Sequence, residues 1–136
     1  MATILVLDSH PVMRRLLSLQ LHRRDHVVLL ARNQEEALQT LQQPVDLLIA
    51  AISSEEEGRR LLSALQDQRA LAELPVILIA PLSQGYLRQQ MLQEGADVFL
   101  TRPTSSWQLS NAVQELLYPR SETVPELFQQ PLAANF

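Results

Sequence analysis

The chain contains no lysine and no cysteine: all eleven basic residues among its 136 are arginine. Without lysine there can be no Schiff base, no phosphate-loop lysine and no amine poised as acid or base. Without cysteine there is no disulfide, thiolate metal site or thiol nucleophile, which agrees with a reducing compartment. Positive charge is scarce overall, eleven basic side chains against fifteen acidic ones giving a net charge of −4, and the arginines never run longer than a pair. That balance argues against a nucleic-acid-binding surface. Long apolar runs are missing as well, since nothing approaches the roughly 18 residues that span a bilayer. Residues 1–8 lack a positively charged start and their apolar run breaks at Asp8, so they do not read as a signal peptide. These absences predict a soluble, cytoplasmic protein with no membrane and no nucleic-acid partner, and the length fits one domain.

What is present is a rhythm. Five short, almost continuously apolar runs occupy residues 3–8, 26–31, 45–51, 75–80 and 97–101. Continuous apolarity without alternation is the signature of parallel strands covered on both faces. Between them lie helically spaced stripes: Val12, Leu16, Leu19; Ala37, Leu38, Leu41; Leu61, Leu62, Leu65; the less regular Leu87, Met91, Leu92; and the clear Leu109, Ala112, Val113, Leu116, Leu117. Asn33 with Glu36, and Ser53 and Ser54 with Glu56 and Glu57, have capping-box spacing. Thr104 is the expected N-cap of the last helix, and Gly95 the expected left-handed residue closing the one before. The pattern is βα repeated five times, a doubly wound parallel α/β sheet with right-handed crossovers. Ligands of such sheets bind at the carboxyl ends of the strands, which places Asp8, Ala51, Ala80, Thr101 and Arg102 together.

Residues 1–117 thus form the expected domain. Residues 118–136 hold three prolines, few charges and scattered apolar side chains at Leu127, Phe128, Leu132 and Phe136. They read as a tail or linker, or as a segment that docks on a partner or on a groove of the domain.

Several segments, in order, resemble the receiver domains of two-component response regulators. They are Ile4-Leu5-Val6-Leu7-Asp8-Ser9-His10-Pro11, Ala31-Arg32-Asn33-Gln34-Glu35-Glu36-Ala37-Leu38, Pro44-Val45-Asp46-Leu47-Leu48-Ile49, Leu74-Pro75-Val76-Ile77-Leu78-Ile79 and Gly95-Ala96-Asp97-Val98-Phe99-Leu100-Thr101-Arg102-Pro103. The resemblance implies a flavodoxin-like five-stranded sheet ordered 2-1-3-4-5 with five helices. It also implies a phosphoryl group accepted from a histidine kinase by an aspartate ending the third strand. In the family, acids after the first strand hold Mg²⁺, a Thr or Ser ends the fourth strand and a Lys follows the fifth; metal and cation neutralise phosphate charge.

Position by position, this sequence departs from that pattern. Ala51 stands where the acceptor aspartate belongs, Asp8-Ser9 replaces an acid pair, Ala80 replaces the hydroxyl residue and Arg102 the lysine. Only Asp8 remains as a metal-ligand remnant, so neither a metal nor a cofactor is expected. The loop from Ile52 to Gly58 lacks the family's Met-Pro step and is one residue short. Asp46 offers no hidden acceptor, because it begins the third run and lies at its opposite end. The expected protein is a degenerate receiver, a pseudo-receiver without enzymatic activity, acting through protein contacts in a signalling system.

Particular residues carry particular expectations. Asp8 and Arg102 should face each other, a guanidinium being able to pair with a carboxylate through two hydrogen bonds. Phe99 should rest inward beside the small Ala80 and fix the face formed by the fourth helix, fifth strand and fifth helix, a candidate homodimer or partner surface. Trp107 falls off the buried stripe of the last helix and is a candidate interface anchor. Glu55, Glu56 and Glu57 are expected to serve the helix dipole rather than fill the pocket. Asp8-Ser9-His10 also begins like the Asp-x-His of cobalamin-binding domains, but Met13 replaces the required glycine and only Gly58, Gly85 and Gly95 occur in the chain. His22 and His26 are read as surface residues, not a metal pair. The alternative is a regulator that is phospho-independent, or that uses the vacant pocket to answer to a small ligand or to phosphorylation of Ser53 or Ser54.

Overall fold

A computed structural model describes residues 1–119; the tail from residue 120 on, where most of the expected docking segment falls, lies outside the described residues. The strands are β1 (Thr3–Leu7), β2 (Val27–Ala31), β3 (Leu47–Ala51), β4 (Val76–Ala80) and β5 (Val98–Thr101). The helices are α1 (Pro11–His22), α2 (Gln34–Thr40), α3 (Glu55–Gln66), α4 (Arg88–Gln93) and α5 (Ser106–Leu117). All strand pairs are parallel and the order is β2-β1-β3-β4-β5. The flavodoxin-like architecture expected from the sequence is the one observed.

Alternate residues of each strand feed two separate cores. Ile4, Val6, Ile49 and Ile79 pack under α1 and α5 with Leu17, Leu21, Leu109 and Val113. Leu5, Leu48, Leu78 and Phe99 pack under α2, α3 and α4 with Ala37, Leu61, Leu65 and Met91. Both layers are apolar, which is why the strands read as unbroken apolar runs. At the amino ends of the strands, Asp46 accepts the Thr3 N–H and Asp97 the Val76 N–H, each at 2.8 Å. Asp46 therefore sits at the end of the sheet opposite Ala51.

Three expectations are corrected. The stripe Val12, Leu16, Leu19 faces outward, with exposures of 59%, 48% and 48%. Burial of α1 runs through Leu17 and Leu21 instead. This helix carries two leucine stripes at helical spacing, and only the sheet beneath it distinguishes them. The run at β2 is not covered on both faces: β2 is an edge strand, and Val27 and Leu30 are exposed. Finally, the N-cap of α5 is Ser105, not Thr104. Ser105 and Gln108 close a full capping box, while the Thr104 hydroxyl donates back to the Thr101 carbonyl at 3.1 Å.

The other two caps follow a different plan. Asn33 and Ser54 accept the N–H groups of Glu36 and Glu57, as their spacing suggests. The carboxylates, however, reach one residue further back: Glu36 takes the Arg32 N–H at 2.8 Å and Glu57 the Ser53 N–H at 3.2 Å. Before α4 the chain forms a 3₁₀ stretch over Leu82–Leu87 that is kinked at Gln84. The Gln84 side chain there donates to the Ser53 carbonyl at 2.6 Å. Gly95 closes α4 at φ +123°, the left-handed region expected of it.

Candidate functional site

The carboxyl ends of β1, β3, β4 and β5 converge on one edge of the sheet. Leu7 pairs with Ala50 and Ala80 with Thr101, so Asp8, Ala51, Ala80 and Arg102 follow at the same level. The Arg102 N–H donates to the Ala80 carbonyl at 2.9 Å, which holds the arginine against the end of β4.

Asp8 is the only buried charged side chain among the described residues. Its side chain is 3% exposed and its Oδ2 accepts from Nη2 of Arg102 at 3.2 Å; the arginine side chain is 31% exposed. The other oxygen, Oδ1, accepts the His10 N–H at 2.9 Å. The two-bond fork expected for this pair is therefore not formed. One carboxylate oxygen is already taken by the backbone at the start of α1, and the guanidinium meets the other alone. A further arginine closes the group: Nη1 of Arg14 donates to the Asp8 carbonyl at 2.8 Å. Sequence reasoning missed Arg14 and the His10 amide. The signal was Pro11, which at N1 makes His10 the N-cap and turns its N–H toward Asp8.

His10 itself caps α1, its Nδ1 accepting the Met13 N–H at 3.4 Å. Ser9 is exposed at the rim. A pocket of about 330 Å³ opens beside it between Ala51, Ser54, Arg32 and Arg60. Both arginines are paired: Arg32 with Glu36 and Arg60 with Glu56, each at 2.6 Å. Glu55 pairs with Arg59 at 3.1 Å, and Glu57 bonds the Ser53 amide. All three acids of the run are thus engaged along α3 and its first turn, favourable positions for the helix dipole.

The hydrogen bonds from the Arg32 side chain, and then from its backbone, hold Glu36 at about 2, below its ordinary 4.5. A depressed carboxyl contributes stability that is complete above the unfolded value and is lost as pH falls from 4.5 toward 2. Arg32→Ala is expected to move the Glu36 titration, followed by carboxyl-carbon NMR, back up toward 4.5. A titration unaltered by that substitution would assign the shift to another group.

The residues around Asp8 do not fit a Mg²⁺ site. The ion prefers oxygen ligands, usually with one or two carboxylates plus phosphate and water. Here the single carboxylate spends one oxygen on Arg102 and the other on an amide. Ala51 and Ala80 bring only methyl groups, which can neither ligate nor act as nucleophiles.

Of the partner-face candidates, Phe99 is 1% exposed and packs in the α2/α3/α4 core, so it shapes that face from beneath and offers a partner nothing directly. Arg88 of α4 donates to its carbonyl at 3.1 Å. The side chains exposed nearby are Leu82 and Tyr86, and Trp107 on α5 is 73% exposed. His22 is exposed at the end of α1. His26, four residues on, precedes β2 and is partly buried; burial, reinforced by the N-terminal amine, lowers its pKa below 6.5.

A doubly wound parallel sheet in the order 2-1-3-4-5, with Asp8 and Arg102 meeting at its carboxyl strand ends, is the architecture of receiver domains. The sequence agrees: the family of the response regulator receiver domain matches residues 4–114, and the chain belongs to that family. It is 30% identical over 114 residues to an uncharacterized 14.6 kDa protein in the sodA1 3′ region of Leptolyngbya boryana, with 82% of this chain and 87% of that one covered. It is 26% identical over 121 residues to histidine kinase P4 of Formosa agariphila; the match takes in 88% of this chain and 9% of the kinase. Among solved structures, the signal receiver domain of a signal transduction histidine kinase from Syntrophus aciditrophicus is similar at a TM-score of 0.77 and 29% identity, covering 92% of this chain and 98% of that domain. The chain is a receiver domain of two-component signalling, and no described helix is long and apolar enough to cross a membrane.

Proposed function

We propose that this receiver domain does not accept a phosphoryl group at the usual strand-end position and acts through protein contacts within a signalling system. The observation that carries the reading is Ala51 at the end of β3, with the neighbouring Asp8 already committed to Arg102 and the His10 amide. In-line phosphoryl transfer needs a nucleophilic oxygen and a cation to neutralise developing charge. Here the first is absent from the position and the residue that would hold the second is engaged. No nucleophile, base and oxyanion donor meet at the strand ends, which favours a binding module over an enzyme.

The protein partner would meet the face of α4, β5 and α5, with Leu82 and Tyr86, exposed in the stretch leading into α4, and Trp107, exposed on α5, as its apolar side chains. A homodimer through that face is the simplest form. The alternative, a small ligand or a phosphoserine at Ser53 or Ser54, has the 330 Å³ pocket in its favour. Against it, the pocket's two arginines are balanced by Glu36 and Glu56, so no unpaired positive charge awaits a phosphate.

The test is intact-mass measurement after incubation with acetyl phosphate and Mg²⁺. The expected result is an unchanged mass. A gain of one phosphoryl group would overturn the reading, and peptide mapping would identify the acceptor.

A further inference from the structure

The two edges of the sheet differ. The side chains of β5 are buried or half-buried, whereas on β2 both Val27 and Leu30 are exposed. Natural sheets protect an edge with lysine, proline, an inward-pointing charge, a bulge or a covering segment. Strand β2 reads Val27-Val28-Leu29-Leu30-Ala31, with no lysine, proline or charge. Its pairing with β1 runs residue for residue from Thr3 with Val27 to Leu7 with Ala31, so there is no bulge either. Helices α1 and α2 pack against this strand, and it ends the sheet.

The backbone shows which groups that edge presents. The Val27 N–H donates to the Ala2 carbonyl at 2.8 Å, and the Ala31 carbonyl accepts the Asp8 N–H at 3.1 Å. Backbone groups alternate between the two sides of a strand. Val27, Leu29 and Ala31 therefore serve β1, while Val28 and Leu30 direct their N–H and C=O groups outward. Among the described residues, the side-chain bond at this edge is made further on, at Arg32, whose N–H is held by Glu36 at 2.8 Å. Side chains alternate as well: Val28 packs toward the α1/α5 core and Leu29 toward the α2/α3/α4 core.

We propose that β2 pairs with β2 of a second copy of this chain, antiparallel, about a twofold axis through Leu29. Val28 and Leu30 stand symmetrically on either side of Leu29, so the rotated copy presents the same donors and acceptors in reverse order. Val28 and Leu30 of the partner subunit would exchange both of their N–H···O bonds, and so would Leu30 and Val28 of the partner subunit. The same residues would cover each other on the α1 side, while Leu29 meets its own copy on the α2 side. A contact of this kind needs a patch complementary to itself, and formal charge is absent from His26 to Ala31. No like charges are brought together. The pairing also limits itself, because one step further sets His26 opposite Arg32 of the partner subunit, where the N–H already belongs to Glu36. An unrelated extended peptide would have to bring matching apolar side chains; a second copy has them by construction. Strands β2 and β5 lie at opposite ends of the sheet. The contact is thus separate from the α4–β5–α5 face, and it stands whether or not the domain accepts a phosphoryl group.

Because the chain has no cysteine, single substitutions read the register. Each is made in the full-length chain carrying Tyr86→Ala and Trp107→Ala, which remove the exposed aromatic side chains of the other face. Opposite residues that are not hydrogen-bonded to each other have Cα atoms about 4.5 Å apart, within disulfide range. Leu29→Cys with oxidised glutathione is therefore expected to link two chains about tenfold faster than Val27→Cys, since pairing raises the effective concentration of its thiol. Val27 is the more exposed of the two, so random collision would give the opposite order. In the proposed register the two copies of residue 27 stand about 14 Å apart. Adding Leu30→Lys to Leu29→Cys places a guarding charge on the edge and should remove the advantage. Without cysteine, sedimentation equilibrium should show a concentration-dependent dimer that Leu30→Lys weakens. Equal rates at the two cysteine positions, or faster linking of Val27→Cys, overturn the pairing. So do a Leu29→Cys rate that ignores Leu30→Lys and a monomer at every concentration.

Discussion

Phe99→Ala is expected to cost about 3–5 kcal/mol of folding stability, the usual range for emptying a buried aromatic site. The ring is 1% exposed and lies in a core whose nearby members are Leu78, its register partner on β4, with Ala80, Leu87 and Met91. Ala80 is diagonal to it and too small to fill a cavity by a rotamer change. The hydrogen bond from Arg88 goes to the Phe99 carbonyl, so it survives the substitution and the loss measures packing alone. Urea unfolding should show a lower midpoint with an unchanged slope. A loss under about 1 kcal/mol would mean that α4 collapses onto the space and that the ring does not hold the face in shape. If the exposed Leu82 and Tyr86 form a contact surface, binding should weaken in this variant although Phe99 never touches the partner.

Arg102→Ala is expected to cost about 2 kcal/mol, the scale of a hydrogen bond to a charged group whose buried partner is left behind. The cost is held below that of a fully buried pair because the guanidinium is 31% exposed and because Asp8 keeps the His10 amide. Asp8→Ala should be costly in its own way, since it also frees the amide that starts α1. In the double variant the Arg102 substitution should then cost almost nothing, giving a coupling of about 2 kcal/mol. Independent effects that simply add would show that the pair contributes no lock to the site. Raising salt should change the coupling little, since one partner is out of water.

The sheet was legible because its strands are buried on both faces, so burial leaves an unbroken apolar run that needs no context. The edge strand β2 reads the same way while half exposed, because exposure there depends on where α1 and α2 lie. Helix α1 failed for a related reason: leucines at 16, 17, 19 and 21 support two stripes, and the choice between them is made by the sheet. At the site, the identities of Asp8, Ala51, Ala80 and Arg102 were readable from strand ends. Their geometry was not. The fork between Asp8 and Arg102 was lost to the His10 amide, a backbone group with no side-chain signature, and Arg14 entered from a helix whose orientation the sequence left open. Caps were half legible: the N-cap side chains at Asn33 and Ser54 follow from spacing, whereas the backward reach of Glu36 and Glu57 depends on the loop that precedes them.

Those two backward-reaching carboxylates have a consequence for signalling. A receiver transmits when two arrangements of its loops lie close in free energy and a ligand favours one of them. Here Glu36 pins the residue after β2, Glu57 the loop after β3, Gln84 ties that same loop to the chain after β4, and Arg102 holds the ends of β1 and β4 together. Each tether is internal to the chain, so on the proposed reading the balance between arrangements is set by the chain's own hydrogen bonds and not by a phosphoryl group. On that reading the strand-end loops are held in one arrangement by the chain's own side chains, so loosening a tether, by a partner or a substitution, is what would shift it.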